Sequence, residues 1–150
     1  MKALIQRVIE GSVEVDSATV GRIAKGLVVL LGVKAGDTEA DAKWLAEKTV
    51  NLRIFSDNDG KMNLSVFDIG GGILAISQFT LYGDTKKGNR PSFARAAEPV
   101  LAERLYGKYV DTLKTILGDE RVATGVFGAR MKVHIINDGP VTVEITNDPS

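Results

Sequence analysis

Ten consecutive residues constrain this chain more than any others: Gly72-Ile73-Leu74-Ala75-Ile76-Ser77-Gln78-Phe79-Thr80-Leu81. The first half is aliphatic and uncharged, which predicts a strand covered on both faces, and so a sheet with packing layers above and below it. Ser77, Gln78 and Thr80 then place three polar side chains inside water-excluding sequence. A buried hydroxyl or amide left unpaired costs about 1–3 kcal/mol. The cluster therefore either satisfies itself and its neighbouring strands or marks a site at the strand end. Gly26-Leu27-Val28-Val29-Leu30-Leu31-Gly32-Val33 has the same apolar character, so two strands of the fold are central.

The rest of the chain supplies what surrounds them. Residues 2–9 and 12–16 alternate as strands broken near Gly11, and Asp16-Ser17-Ala18 turns the chain into a returning arm at 19–23. Thr38 or Asp37 caps a helix whose stripe is Ala42, Leu45, Ala46 and Thr49, with Trp44 packing at its flank. Residues 52–55 read as a short strand. Pro99 opens a second helix through Leu101, Leu105, Tyr109, Thr112, Leu113 and Ile116 to Gly118. Residues 119–130 read as irregular. Strands follow at 131–136 and 141–145, separated by Asn137-Asp138-Gly139-Pro140.

Two tempting motifs dissolve on inspection. Asp57-Asn58-Asp59-Gly60 lacks the preceding acid and the downstream glutamate of a calcium loop, and reads as a hairpin turn. Gly70-Gly71-Gly72 is followed by neither Gly-Lys-Ser/Thr nor a helix, so it is a turn feeding the central strand rather than a phosphate cradle.

The inventory excludes several chemistries. There is no cysteine, hence no disulfide, thiolate nucleophile or zinc–thiolate site. A single histidine, His134, rules out histidine-based metal clusters, and sharing a face with Lys132 it reads as a surface or edge residue rather than a catalytic base. The 150 residues, 44% hydrophobic, suit one globular domain spanning 1–150. Nineteen basic and nineteen acidic side chains cancel, which argues against a broad nucleic-acid surface. With no signal-peptide h-region and no bilayer-length apolar run, a cytoplasmic protein without membrane contact is the expectation. One local exception to neutrality is the polar loop from Gly83, which carries Lys86, Lys87, Arg90 and Arg95. Composition reads it as solvated; its place just after the suspected site favours phosphate binding.

A hydroxyl is a weak nucleophile without an adjacent base, and no carboxylate pair accompanies Ser77 and Thr80, so a hydrolytic triad is not expected. Main-chain N–H groups around Phe79 and Thr80 offer something else: an oxyanion-hole arrangement, useful to a substrate that brings its own nucleophile or base. An ester with a vicinal hydroxyl meets that condition. Gly139-Pro140 reads either as an ordinary β-turn or as a cis pair holding two carbonyl oxygens side by side, able to receive an ammonium group.

Ser77-Gln78-Phe79-Thr80-Leu81 and Asn137-Asp138-Gly139-Pro140-Val141-Thr142 together resemble the paired motifs of the bacterial-type D-aminoacyl-tRNA deacylases. The likeness includes Gln6-Arg7-Val8, Arg53-Ile54-Phe55-Ser56-Asp57, Gly60-Lys61-Met62-Asn63-Leu64 and Arg90-Pro91-Ser92-Phe93, and so runs over nearly the whole chain. It implies a mixed α/β domain of packed sheets with two helices. It implies a homodimer that hydrolyses the ester of D-aminoacyl-tRNA, and of glycyl-tRNA, without metal or organic cofactor. Ser77, Gln78, Phe79 and Thr80 would line the pocket, with the 2′-hydroxyl of the terminal ribose assisting attack. A cis Gly139-Pro140, beside Asn137, would reach into the partner subunit's pocket and exclude L-amino acids. Eukaryotic relatives described as DNA-unwinding-element-binding proteins supply the rival reading, a non-enzymatic nucleic-acid-binding role.

Overall fold

The two apolar runs lie side by side at the centre of a six-stranded sheet in a computed structural model that describes residues 1–149. In chain order the elements are β1 (Lys2–Val15), β2 (Ala18–Ile23), β3 (Gly26–Gly32), α1 (Glu39–Asn51), β4 (Phe55–Ser56), β5 (Met62–Leu64), β6 (Gly72–Ser77), α2 (Pro99–Leu117), β7 (Val122–Thr124) and β8 (Lys132–Thr146). The sheet runs β2-β1-β3-β6-β7, with β8 antiparallel to β1, while β4 and β5 form a separate hairpin around the turn at 57–60. β3 and β6 pair in parallel, as do β6 and β7. The fold is thus a mixed α/β one with two helices.

Both faces of the central strands are covered, which explains the missing polar alternation. On β3, Leu27, Val29 and Leu31 join the larger core with Leu45, Leu105, Tyr109 and Leu113 of the helices. Val28 faces the other way, into a second core with Val8, Val13, Leu74 and Ile76. Ile73 and Ala75 of β6 belong to the helix-side core. Glycine lets backbones approach at one critical place: a Cβ on Gly26 would sit 1.9 Å from the Gly72 carbonyl oxygen, where the two central strands begin.

α1 is capped by Thr38, whose hydroxyl accepts from the Asp41 N–H while the Asp41 carboxylate accepts from the Thr38 N–H at 2.8 Å. α2 starts with Pro99 in its first turn and stops at Gly118, which has φ 95°.

Several boundaries differ from those read in the sequence. β1 is continuous through Gly11, because a Cβ there would come within 2.6 Å of Val28 Cγ2 and glycine is what packing demands. The central strand ends at Ser77, and Phe79–Tyr82 forms a 3₁₀ turn instead of more strand. The strand placed at 52–55 forms at Phe55–Ser56. Trp44 is 38% exposed on α1, with the Lys48 ammonium over its ring, so it does not pack as a core residue. Residues 119–130 include a 3₁₀ turn at Asp119–Arg121 and then β7, too short to show a period yet paired from Val122 with Ile73 to Thr124 with Ala75. Finally, β8 is a single strand with a bulge rather than two strands and a turn. Asn137 faces Val8 and Thr142 faces Gln6, so residues 138–141 stand opposite Arg7 alone.

Candidate active site

β6 keeps β3 beside it to its end: Leu31 pairs with Ser77, and the Gln78 N–H donates to the Leu31 carbonyl at 2.8 Å. On its other edge the last pair is Ala75 with Thr124. Where β7 stops, a cavity of about 670 Å³ opens. Ser77, Gln78 and Phe79 form one wall, the first turn of α2 with Pro99 and Ala102 another, and Phe93, Phe127, Met131 and Val133 are among the rest. Strand alternation explains Ser77, which continues the helix-side face of Ile73 and Ala75. Ser77 and Gln78, two of the three polar residues in the apolar run, therefore lie at a concave, mainly apolar site with few polar groups.

Phe79 and Thr80 begin the 3₁₀ turn, whose first i→i+3 bond is Leu81 N–H to Gln78 C=O at 3.3 Å. Their N–H groups precede that bond, as the first donors of any helical turn do. Phe79 is 55% exposed and meets Phe93 edge to face, with centroids 5.1 Å apart. Thr80 is exposed, lines no part of the cavity, and its hydroxyl oxygen accepts from the Gln78 amide.

His134 is exposed on β8 and hydrogen-bonded to Glu14, whose carboxyl that bond holds below the usual range. Alternation sends Met131 and Val133 towards the cavity and Lys132 and His134 to the opposite face.

Asn137, Gly139 and Pro140 are exposed and line no part of this cavity. The Gly139–Pro140 peptide is cis, and Gly139 has φ 127°. Arg7 grips the bulge from beneath: its Nε donates to the Asp138 carbonyl at 3.1 Å, one terminal nitrogen donates to the Ile54 carbonyl at 2.7 Å, and the Asp138 carboxylate lies 3.4 Å away.

Lys86, Lys87 and Arg90 are exposed in the loop between the 3₁₀ turn and α2. Arg95 is engaged differently, with its guanidinium 5.6 Å from the Tyr82 ring centroid and 3.9 Å from the Asp148 carboxylate. Asp148 also accepts from Lys34 and from the Tyr82 hydroxyl. Burial pushes its carboxyl up, but the Lys34 and Tyr82 bonds outweigh that and leave it below the ordinary value. The carboxylate thus ties the end of the basic loop to the end of β3.

Sequence reading missed Phe127, Gly128 and Ala129 as cavity residues, having set 119–130 aside as carrying no motif. An aromatic residue followed by glycine in a polar stretch was the available signal. It also missed the Arg7 clamp, which depends on a bulge that periodicity cannot show.

A family model described as D-Tyr-tRNA(Tyr) deacylase matches residues 4–146. The D-aminoacyl-tRNA deacylase of Geobacter sulfurreducens is 59% identical over 142 residues, covering 95% of this chain and 92% of that protein. The enzyme of the same name from Thermosipho africanus is 54% identical, covering 95% of each. A solved structure named c-Myc DNA Unwinding Element Binding Protein superposes with a TM-score of 0.94 at 41% identity, over 99% of this chain and all of that one. Another, of a probable eukaryotic D-amino acid tRNA deacylase, gives 0.80 at 18% identity over 96% of this chain and 98% of its own, and at that distance speaks for the fold alone.

Proposed function

Because the chain belongs to the D-Tyr-tRNA(Tyr) deacylase family, we propose that it hydrolyses the ester joining a D-amino acid to the terminal adenosine of tRNA, a chiral proofreading reaction. Water adds to the acyl carbon, the carbon–oxygen bond to ribose breaks, and the departing oxygen takes up a proton. The observation that carries the reading is the cavity at the end of β6, walled by the same Ser77, Gln78 and Phe79 on which the family likeness rests.

With no histidine or carboxylate pair at this wall, the 2′-hydroxyl of the terminal ribose assists attack, and main-chain N–H groups at Phe79 and Thr80 receive the developing oxyanion. The Thr80 side chain need not enter the pocket for this, since only its backbone is used. Glycyl-tRNA is a second substrate, because a filter that works by excluding a side chain has nothing to exclude in glycine.

Gly139 and Pro140 are the chiral wall, supplied to the cavity of a second copy in a homodimer. In support, the bulge is exposed, lies outside its own chain's cavity and is held by Arg7. Lys86, Lys87, Arg90 and Arg95 meet acceptor-end phosphates, Arg95 after giving up part of its contact with Asp148. No metal or cofactor takes part, and the site of action is the cytoplasm. Among the described residues, no helix is long and apolar enough to cross a membrane.

A second reading, DNA binding without catalysis, is favoured by the structural neighbour named for a DNA unwinding element. It leaves the cavity unemployed. Purified protein offered matched D- and L-tyrosyl-tRNA separates the two: D-tyrosyl-tRNA is deacylated and L-tyrosyl-tRNA is spared. Equal hydrolysis of both refutes the chiral wall, and hydrolysis of neither refutes the enzyme. Sedimentation at working concentrations decides the dimer, which an active monomer would refute.

A further inference from the structure

Behind the cavity, on α2, stand two tyrosines one helical turn apart. Tyr109 is fully buried; its hydroxyl lies 2.8 Å from Thr49 Oγ1, which itself donates to the Leu45 carbonyl. Thr49 therefore accepts from Tyr109, and the bond ties one helix to the other. Tyr106 turns instead to the sheet. Its hydroxyl donates to the Ala75 carbonyl at 2.7 Å, and its ring stands 6.1 Å from that of Phe127, a cavity residue.

The position of that carbonyl matters. The Gln78 N–H points to β3, so by alternation Ala75 and Ser77 direct their backbone groups to the β7 edge. β7 ends opposite Ala75. Tyr106 thus meets β6 at the last residue that has a strand neighbour on that edge, two residues before the Ser77 wall. Burial pushes the Tyr106 hydroxyl up to about 12, so it remains a donor throughout the neutral range.

We propose that Tyr106 is a positioning residue for the deacylation site: its hydroxyl adds a bond from α2 at the last β6 residue paired with β7, holding the end of β6 that carries Ser77 and Gln78, while its ring backs Phe127. Resting on the deacylase reading, this gives α2 a role in catalysis through one buried hydrogen bond. Without it the last paired residue of β6 loses its bond to α2, and the strand end is free to tilt by a fraction of an ångström. Displacements of about 1 Å can slow an enzyme by 10²-fold even when they begin away from the chemistry.

The test compares Tyr106→Phe with Tyr109→Phe. Each removes one buried hydroxyl from the same helix and keeps the ring, so both fold and both lose some thermal stability. With D-tyrosyl-tRNA, Tyr106→Phe is expected to lower kcat about tenfold with KM within about twofold, and Tyr109→Phe to leave kcat within about twofold. The second readout is amide exchange at Gln78, whose N–H bonds to Leu31. It accelerates in Tyr106→Phe beyond its rate in Tyr109→Phe. Equal kcat values in the two variants, or equal Gln78 exchange, overturn the proposal. Failure of the unmodified chain to deacylate refutes the deacylase reading instead, and Gln78 exchange alone then decides whether Tyr106 holds the strand end.

Discussion

Replacing Arg7 by Met keeps the length and apolar stem of the side chain and removes every donor. Three interactions are lost: donation to Ile54 C=O at 2.7 Å, donation to Asp138 C=O at 3.1 Å, and the 3.4 Å ion pair with the Asp138 carboxylate. Arg7 is only 12% exposed, but Asp138 is 40% exposed, so the ion pair is screened and contributes close to nothing. Hydrogen bonds to a charged donor contribute about 1.5–3 kcal/mol each. The Ile54 carbonyl belongs to a residue 6% exposed and loses its partner outright, whereas the Asp138 carbonyl can recover water. The expected loss is about 3 kcal/mol, which in a chain of this size lowers Tm by roughly 6–12 °C. Guanidinium unfolding and calorimetry measure it. A loss below about 1 kcal/mol would mean that water replaces the guanidinium and that the bulge holds its own shape. The same variant should discriminate less between D- and L-tyrosyl-tRNA, since residues 138–141 have no strand partner besides Arg7. Selectivity retained in full would separate the bulge's geometry from chiral choice.

Thr80→Val should keep most of the activity, because the hydroxyl is exposed, bonded to Gln78 and away from the cavity; a trapped acyl-enzyme at Thr80 would refute this. A tRNA ending in 2′-deoxyadenosine should turn over far more slowly, and an unchanged rate would exclude substrate assistance. Converting Lys86 and Lys87 together to Ala should weaken tRNA binding and flatten its salt dependence, since each phosphate contact releases counterions; an unaltered slope would leave the loop merely solvated. Asp148 has a folded-state pKa below its unfolded one, so its stabilisation is complete above the unfolded value near 4 and disappears as pH falls through the folded value. Asp148→Asn should therefore be less stable than the unmodified chain at pH 7, with the gap in Tm closing on acidification; a gap independent of pH would show that the charge is not what matters.

The sequence alone determined the elements whose pattern is local. The continuous apolar run at 26–33 and the first half of the run at 72–81 required strands covered on both faces, and Thr38 or Asp37, Pro99 and Gly118 marked helix ends by backbone chemistry that acts within a turn. It also determined that Ser77 and Gln78, set in such a run, need a special environment, because burying polar groups without partners is costly wherever the chain goes. Tertiary structure decided what depends on residues distant in sequence. β7 exists because the exposed edge of β6 pairs with it, and its early end opens the cavity. Arg7 turns residues 138–141 into a bulge by bonding carbonyls 47 and 131 positions away. Phe127 becomes a wall only when α2 and Tyr106 stand behind it. Such contacts leave no periodic trace: one residue opposite four, or one hydroxyl opposite one carbonyl, carries its information in the closure of long loops.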